Sequence, residues 1–297
     1  LCTHASKPII QHRLGDVRVS SIDYGEHIHV NGIKFTFLPA GHIVGSAQIR
    51  IEHKGEVWVI SGDYKVEDDG LSGRFEPIKC HTFITECTFG LPIYSWTPQE
   101  QIFEQINRWW AANRSNQVTS LLTGYSLGKA QRLLCGLDTG IGKIYTHGAV
   151  EQINQVMRAS GIDLPHTEYL TADIAKKDLE GHLVIAPPGA TGSGWMKRFR
   201  QVSIAGASGW MQLRGARRRG NADRGFVLSD HADWEGLNQT IAATGAEKVY
   251  VTHGYTDIFK RWLIDQGYDA DIVQTRFEGE RMVESEENLE GGKNSEA

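Results

Sequence analysis

The chain has 297 residues, of which 40% are apolar and 23% charged, with 33 glycines and a formal net charge of −5 at pH 7. That composition excludes extended disorder, collagen and coiled coil for most of its length. No apolar run approaches the ~18 residues of a membrane span, so no membrane partner is expected.

Strand signals dominate the first ninety residues. His27 to Leu38 alternates around Asn31-Gly32, a pair suited to the two positive φ angles of a tight hairpin. Ala47–Glu52 and Val57–Ser61 repeat the pattern around His53-Lys54-Gly55-Glu56, and a third run, Thr82–Thr85, stops at Glu86. Thr97-Pro98-Gln99-Glu100 then reads as a capping box, opening a helix that carries Ile102, Phe103, Ile106, Trp109 and Trp110 on one face and ends near Asn113. Strands and helices alternate from there. Strands are expected at 119–122, 143–145, 183–186 and 202–205, with helices at 127–137 and 150–159, which predicts a parallel α/β layer of about 130 residues. A strand at 225–229, a helix at 234–244, a strand at 248–252 and a helix at 257–266 follow.

Charge is unevenly placed. Between Trp195 and Arg224 eight basic residues face one acid, a local balance of +7, whereas Glu278 to Ala297 carries seven Glu against Arg281 and Lys293. The latter reads as a disordered acidic tail, assigned to 286–297. Cys2, Cys80, Cys87 and Cys135 are too widely spaced for a Cys-x-x-Cys metal site and read as free thiols of a reducing, cytoplasmic setting. No signal-peptide pattern follows Leu1.

Three strand ends carry residues with chemistry: His42 in Gly41-His42-Ile43-Val44-Gly45-Ser46, Asp63 after Ser61-Gly62, and His253 in Val251-Thr252-His253-Gly254. Each alone reads more readily as a polar loop residue, but two imidazoles and a carboxylate converging from strand ends are ligand types for Zn²⁺. In Ser229-Asp230-His231-Ala232-Asp233-Trp234, Asp233 suits a helix cap, and His231 is either incidental or, charged and oriented by Glu86, a general acid. Gly124-Tyr125-Ser126-Leu127-Gly128-Lys129 is one residue short of a phosphate loop and has Ala130 where Ser or Thr would hold Mg²⁺, which argues against nucleotide hydrolysis. A glycine-bounded turn opening a helix, with Ser126, Lys129 and Arg132, still suits a backbone phosphate. Arg214, Arg217, Arg218 and Arg219 read either as a solvated face or as nucleic-acid contacts.

In order, Gly-His-Ile-Val-Gly-Ser, Ser-Gly-Asp-Tyr, Thr-Glu-Cys-Thr-Phe-Gly, Gly-Tyr-Ser-Leu-Gly-Lys-Ala-Gln-Arg, Ser-Asp-His-Ala-Asp-Trp and Val-Thr-His-Gly resemble the motifs of the metallo-β-lactamase nucleases with a β-CASP domain. Within them the sequence is most similar to bacterial ligase-associated DNA exonucleases, also described as mRNA 3′-end processing factors. The resemblance covers about residues 1–285. It implies an α/β fold: a metallo-β-lactamase αββα sandwich from 1–93 and 225–285, with an α/β β-CASP insertion at 94–224. It also implies His42, Asp63 and His253 as ligands of a site holding two Zn ions in the complete enzyme, Asp63 bridging them. Glu86 would be the acidic β-CASP residue and His231 the proton donor to the leaving oxygen. The implied activity is hydrolysis of nucleic-acid phosphodiesters, as a DNA exonuclease in repair, with RNA processing or nucleic-acid binding without catalysis as alternatives. A repair helicase and an ATP-dependent ligase are implied as partners.

One departure is large. The family's first metal motif, His-x-His-x-Asp-His, has only His27-Ile28-His29 as a partial counterpart, followed by Asn31 and Gly32 where Asp and His are required. His27 and His29 therefore read as strand residues, and the chain, starting at Leu1, as a fragment truncated at its N-terminus. As given it is expected to bind nucleic acid with little turnover.

Overall fold

Turn chemistry lays down the first sheet. A computed structural model describes residues 1–15, 17–213 and 222–273. In it β3 (His27–Val30) and β4 (Ile33–Pro39) form an antiparallel hairpin in which Asn31 and Gly32 have φ of 52° and 79°, both positive as the two-residue turn demands. The next hairpin joins β5 (Ala47–His53) to β6 (Glu56–Ile60) through Lys54 and Gly55, at φ 49° and 87°.

Beyond β6 the sheet turns parallel, adding β7 (Thr82–Cys87), β14 (Lys248–Gly254) and β15 (Asp269–Ile272) in the order β15-β14-β7-β6-β5-β4-β3. Val59, Phe83 and Val249 stand in register on neighbouring strands and are fully buried. They pack against Leu237 and Ile241 of α5 (Trp234–Thr244) and Phe259 and Leu263 of α6 (Thr256–Asp265), in one core that covers this face. Each such buried side chain contributes about 1.5–3 kcal/mol.

The middle of the chain builds a second sheet of six parallel strands, ordered β10-β9-β11-β8-β12-β13. Its members are β8 (Thr119–Thr123), β9 (Ile144–Thr146), β10 (Glu168–Tyr169), β11 (Leu183–Ala186), β12 (Val202–Ala207) and β13 (Arg224–Phe226). β8 and β11 are buried along their whole length, as central parallel strands covered on both faces must be. Leu122 and Ile185 face α2 (Gln99–Ser115) and α3 (Lys129–Gly136), whereas Leu121 and Val184 face a separate core with Leu170, Leu179 and Phe199. α4 (Gly148–Ala159) packs its Ile153 and Met157 on Ile9 of α1 (Lys7–Leu14) and on Val44. A two-stranded parallel sheet, β1 (Cys2–Thr3) with β2 (Ser21–Ile22), completes the described residues.

Several local expectations are corrected. Thr97 does not cap α2, because the carboxylate of Glu67 accepts the Gln99 N–H at 2.9 Å from another loop, so a tertiary acceptor replaces the local one. α3 starts at Lys129 rather than at 127, since Gly128 stands at φ 86°, outside the right-handed helical region. β13 pairs with β12, so the expected domain boundary at 225 falls within a strand of the six-stranded sheet. α1 had no clear sequence signal: its Ile10 and Leu14 are not buried, and Ile9 alone anchors it. The acidic tail, 286–297, lies outside the described residues.

Candidate metal centre and its buried ion network

Loops at the ends of β4 and β6 carry His42 and Asp63, and Lys65 N–H donating to the Ala40 carbonyl at 3.1 Å ties those loops together. His42 Nε2 stands 4.0 Å from Asp63 Oδ2. The His42 and His231 rings are 4.7 Å apart between centroids. One potential ligand atom from each of His42, Asp63 and His231 lies within 4.8 Å of the others. Two imidazoles and a carboxylate at this separation fit the donor set of zinc.

Both imidazoles are oriented from behind. His42 Nδ1 is 3.0 Å from the Asp230 carbonyl, which can only accept, so this nitrogen carries the proton and Nε2 presents its lone pair to the cluster. Burial, and then the neighbouring His231 charge, lower the His42 pKa against the pull of Asp230 and Asp63, which favours the neutral, ligating form. His231 Nδ1 donates to Glu86, 2.9 and 3.0 Å from its two carboxylate oxygens.

Glu86 is fully buried and also accepts the backbone N–H of Tyr64 at 3.0 Å and of Thr88 at 3.2 Å. Burial would raise its pKa. The His231 charge and these hydrogen bonds outweigh that and hold the carboxyl below its usual range.

His253 reaches the same place by another route. The β7–β14 ladder slips between Thr252 and Gly254, leaving His253 as the extra residue of a bulge at φ 59°. Gly254 makes the bulge possible: at φ 85° a Cβ there would lie 2.3 Å from the Cys87 carbonyl oxygen. The His253 ring Nδ1 is 3.1 Å from Thr252 Oγ1. His253 lines a cavity of ≈ 40 Å³ with Asp63, Thr88, Trp210, His231 and Gly254. It shares that cavity, but the compact trio is completed by His231 and not by His253.

The cations of α3 are placed differently from the sequence expectation. Lys129 and Arg132, read as phosphate contacts, are 3% and 2% exposed. Lys129 Nζ is 2.7 Å from Asp230 Oδ1 and donates to the Leu228 carbonyl at 2.6 Å. Arg132 donates to the Ser229 carbonyl, to Asp230 Oδ1 at 3.2 Å and to Gln99 Oε1 at 2.6 Å. Lys65, also buried, pairs with Glu67 at 2.9 Å, and Glu67 lies 3.6 Å from Arg132.

A cationic side chain buried beside α3 needs an internal carboxylate, and Asp230 supplies it. Burial pushes the Lys129 amine down to about 8. Asp230 moves the other way: burial would raise it, but the charges of Lys129 and Arg132 drive its carboxyl well below the ordinary range. Asp230 thus serves the metal cluster through its carbonyl and the ion network through its carboxylate, a double role that no sequence signal announced. Asp233 caps α5 as expected, accepting the Gly236 N–H at 2.8 Å. Ser126 is half-buried in the turn before α3, its carbonyl taken by Gln131 at 3.0 Å. Arg214, Arg217, Arg218 and Arg219 lie outside the described residues.

Comparison with known proteins gives a consistent picture. No protein-family profile matches the chain. A protein of Opitutus terrae named "Probable DNA ligase" is 31% identical over 274 residues, 91% of this chain and 26% of that protein. Endoribonuclease YSH1 of Kluyveromyces lactis is 33% identical over 123 residues, covering 41% of this chain and 16% of that protein. The Saccharomyces cerevisiae YSH1 is 32% identical over 125 residues, again 41% of this chain. The matched region thus spans about a quarter of the first of these proteins and a sixth of the second. In fold the chain is similar to a protein of unknown function from Enterococcus faecalis V583, with a TM-score of 0.63 and 13% identity over 93% of this chain and 74% of that one. In its six ordered motifs and in these relatives, the chain is similar to the β-CASP metallo-β-lactamase nucleases.

Proposed function

We propose that the chain is the hydrolytic part of a zinc-dependent phosphodiesterase acting on nucleic acid, with DNA repair as its setting and exonucleolytic cleavage as its mode. The observation that carries this reading is the His42–Asp63–His231 cluster, with both imidazoles held at Nδ1 by oxygen acceptors. Within it, the β-lactamase-type part would comprise residues 1–93 and the chain beyond β13 to about 285, as an αββα sandwich in the complete enzyme, with the insertion running from 94 through β13. The relative named as a DNA ligase supports a DNA substrate and a ligase partner, to which we add a repair helicase and a cytoplasmic location. The endoribonuclease relatives support RNA as the competing substrate.

Zinc bound there supplies Lewis acidity towards phosphate oxygens and a water of lowered pKa. His42 Nε2 and Asp63 would hold it, with His253 from the bulge lining the same cavity. Glu86 keeps a proton on His231 Nδ1 and stabilises the imidazolium, so that a second proton held at Nε2 can pass to the leaving oxygen. At this spacing His231 Nε2 can instead ligate, and the zinc content of His231→Ala separates the two roles.

A second reading, nucleic-acid binding without turnover, is favoured by the size of the donor set: three side chains cluster among the described residues, and two zinc ions call for more. The test is cleavage of end-labelled single-stranded DNA and RNA by the purified chain with zinc or with chelator. Zinc-dependent cleavage abolished in Asp63→Ala supports the phosphodiesterase. Salt-sensitive binding without cleavage supports the second reading, and neither binding nor cleavage defeats both.

A further inference from the structure

Trp210 has no part in the chemistry above, yet it lines the cavity that holds Asp63, His231 and His253. It lies on a short 3-10 turn, Gly209–Gln212, directly after β12, and so comes from the six-stranded layer to the site of the seven-stranded one. The turn is fixed from several sides. Ser208 Oγ accepts the Trp210 N–H at 3.3 Å, and Gln212 Nε2 donates to the Ile93 carbonyl at 3.4 Å. Gly209 presses so closely on Phe89 that a Cβ would lie 2.5 Å from its ring. The Trp210 ring rests on Phe89 with centroids 4.7 Å apart, and Phe89, 2% exposed, is itself braced edge-on by Tyr94 and Trp96 at 4.8 Å each. The indole itself is only half-buried. It is therefore a rigid aromatic surface, backed by a packed aromatic core and open on the side of the metal cluster.

We infer that Trp210 is a stacking platform for an unpaired nucleobase, the one belonging to the nucleotide whose phosphate lies at the His42–Asp63–His231 cluster. A base joined to that phosphate is only a few ångströms away, and every base offers a π-face to an indole whatever its sequence. A base inside a duplex has both faces covered by its neighbours, so the platform selects single-stranded or frayed ends. The inference rests on the nucleic-acid reading given above and adds to it the strand state of the substrate. It separates two jobs at the site: the loop residues His42, Asp63 and His231 handle the phosphate, and the turn after β12 grips the base.

The test is equilibrium binding of two fluorescein-labelled single strands of equal length and charge, one of thymidine nucleotides and one of abasic tetrahydrofuran residues, to the full chain and to Trp210→Ala and Trp210→Phe. Stacking on one aromatic side chain changes affinity by roughly five- to a hundredfold. Trp210→Ala should lose that factor on the thymidine strand and nothing on the abasic strand, with Trp210→Phe in between. Equal losses on both strands would make Trp210 a packing residue and overturn the inference, as would no loss on either. Failure of the unaltered protein to bind either strand would defeat the nucleic-acid reading itself, and the platform with it. Trp210→Phe keeps a ring against Phe89, so the comparison survives even where the alanine variant unfolds.

Discussion

Asp230→Asn probes the junction between the two layers. The substitution keeps the size of the side chain and the backbone carbonyl that receives His42, but removes the charge facing Lys129 at 2.7 Å and Arg132 at 3.2 Å. Those cations are 3% and 2% exposed and cannot turn to water. Lys65 and Arg132 would then share Glu67, and Lys129 would keep the Leu228 carbonyl. Breaking a buried pair by removing one partner costs about 3–5 kcal/mol. For 297 residues unfolding together, an unfolding entropy of ~2.1 cal/mol/K per residue converts this to a fall in Tm of about 5–8 °C.

The effect should depend on pH in a defined direction. A carboxyl held below its ordinary pKa contributes stability that is complete above the unfolded value, ~3.9, and is lost as pH falls through the folded one. The gap between parent and variant should therefore be full at pH 7 and narrow below pH ~4. Differential scanning calorimetry at both pH values reads it directly, with Arg108→Ala, which opens an exposed Glu104–Arg108 pair, as a control expected to stay within about 1 °C. An Asp230→Asn protein as stable as the parent at pH 7 would refute the claim that Asp230 is the carboxylate on which the buried Lys129 and Arg132 depend.

Three further outcomes are expected. Gly254→Ala should destabilise by roughly 2 kcal/mol or more, since the residue sits at φ 85° with Cys87 and Thr88 where the Cβ would go, and an unchanged denaturation midpoint would remove the bulge as the device that aims His253. Lys54→Asn should stabilise by about 0.5 kcal/mol, because asparagine tolerates the left-handed turn at φ 49° better than lysine does, and urea titration would measure it. Glu86→Gln takes away the charge facing His231 Nδ1, so the imidazole should titrate at lower pH than in the parent, followed by its ring-proton NMR signal in the metal-free protein; an unmoved titration would mean that Glu86 does not support the charged imidazole.

How far a single sequence reveals this site depends on the range of the interaction involved. The hairpin at Asn31-Gly32, the helical face of Ile102, Ile106, Trp109 and Trp110 and the Asp233 cap are local patterns, and each forms as its residues suggest. The strand-end placement of His42 and Asp63 was also readable, because glycine-flanked polar residues after apolar runs mark loops at a sheet edge. Arg132 and Lys129 misled for the opposite reason. A basic pair opening a helix looks the same in sequence whether it meets a phosphate or an internal carboxylate, and Asp230 is about a hundred residues away. The missing Thr97 cap has the same cause, since Glu67 supplies the acceptor from another loop. Trp210 carried no sequence signal at all, because its role arises where two layers meet.

The most direct test of the account is competitive zinc titration of the chain against a chromophoric chelator, for the parent, His42→Ala and Asp63→Asn. If His42 Nε2 and Asp63 form the core of a metal centre, the parent should bind zinc and each variant should lose at least about tenfold in affinity, without a matching loss in metal-free stability. Zinc affinity that is the same in all three proteins would contradict it, and the cluster would then be an ordinary set of polar loop residues.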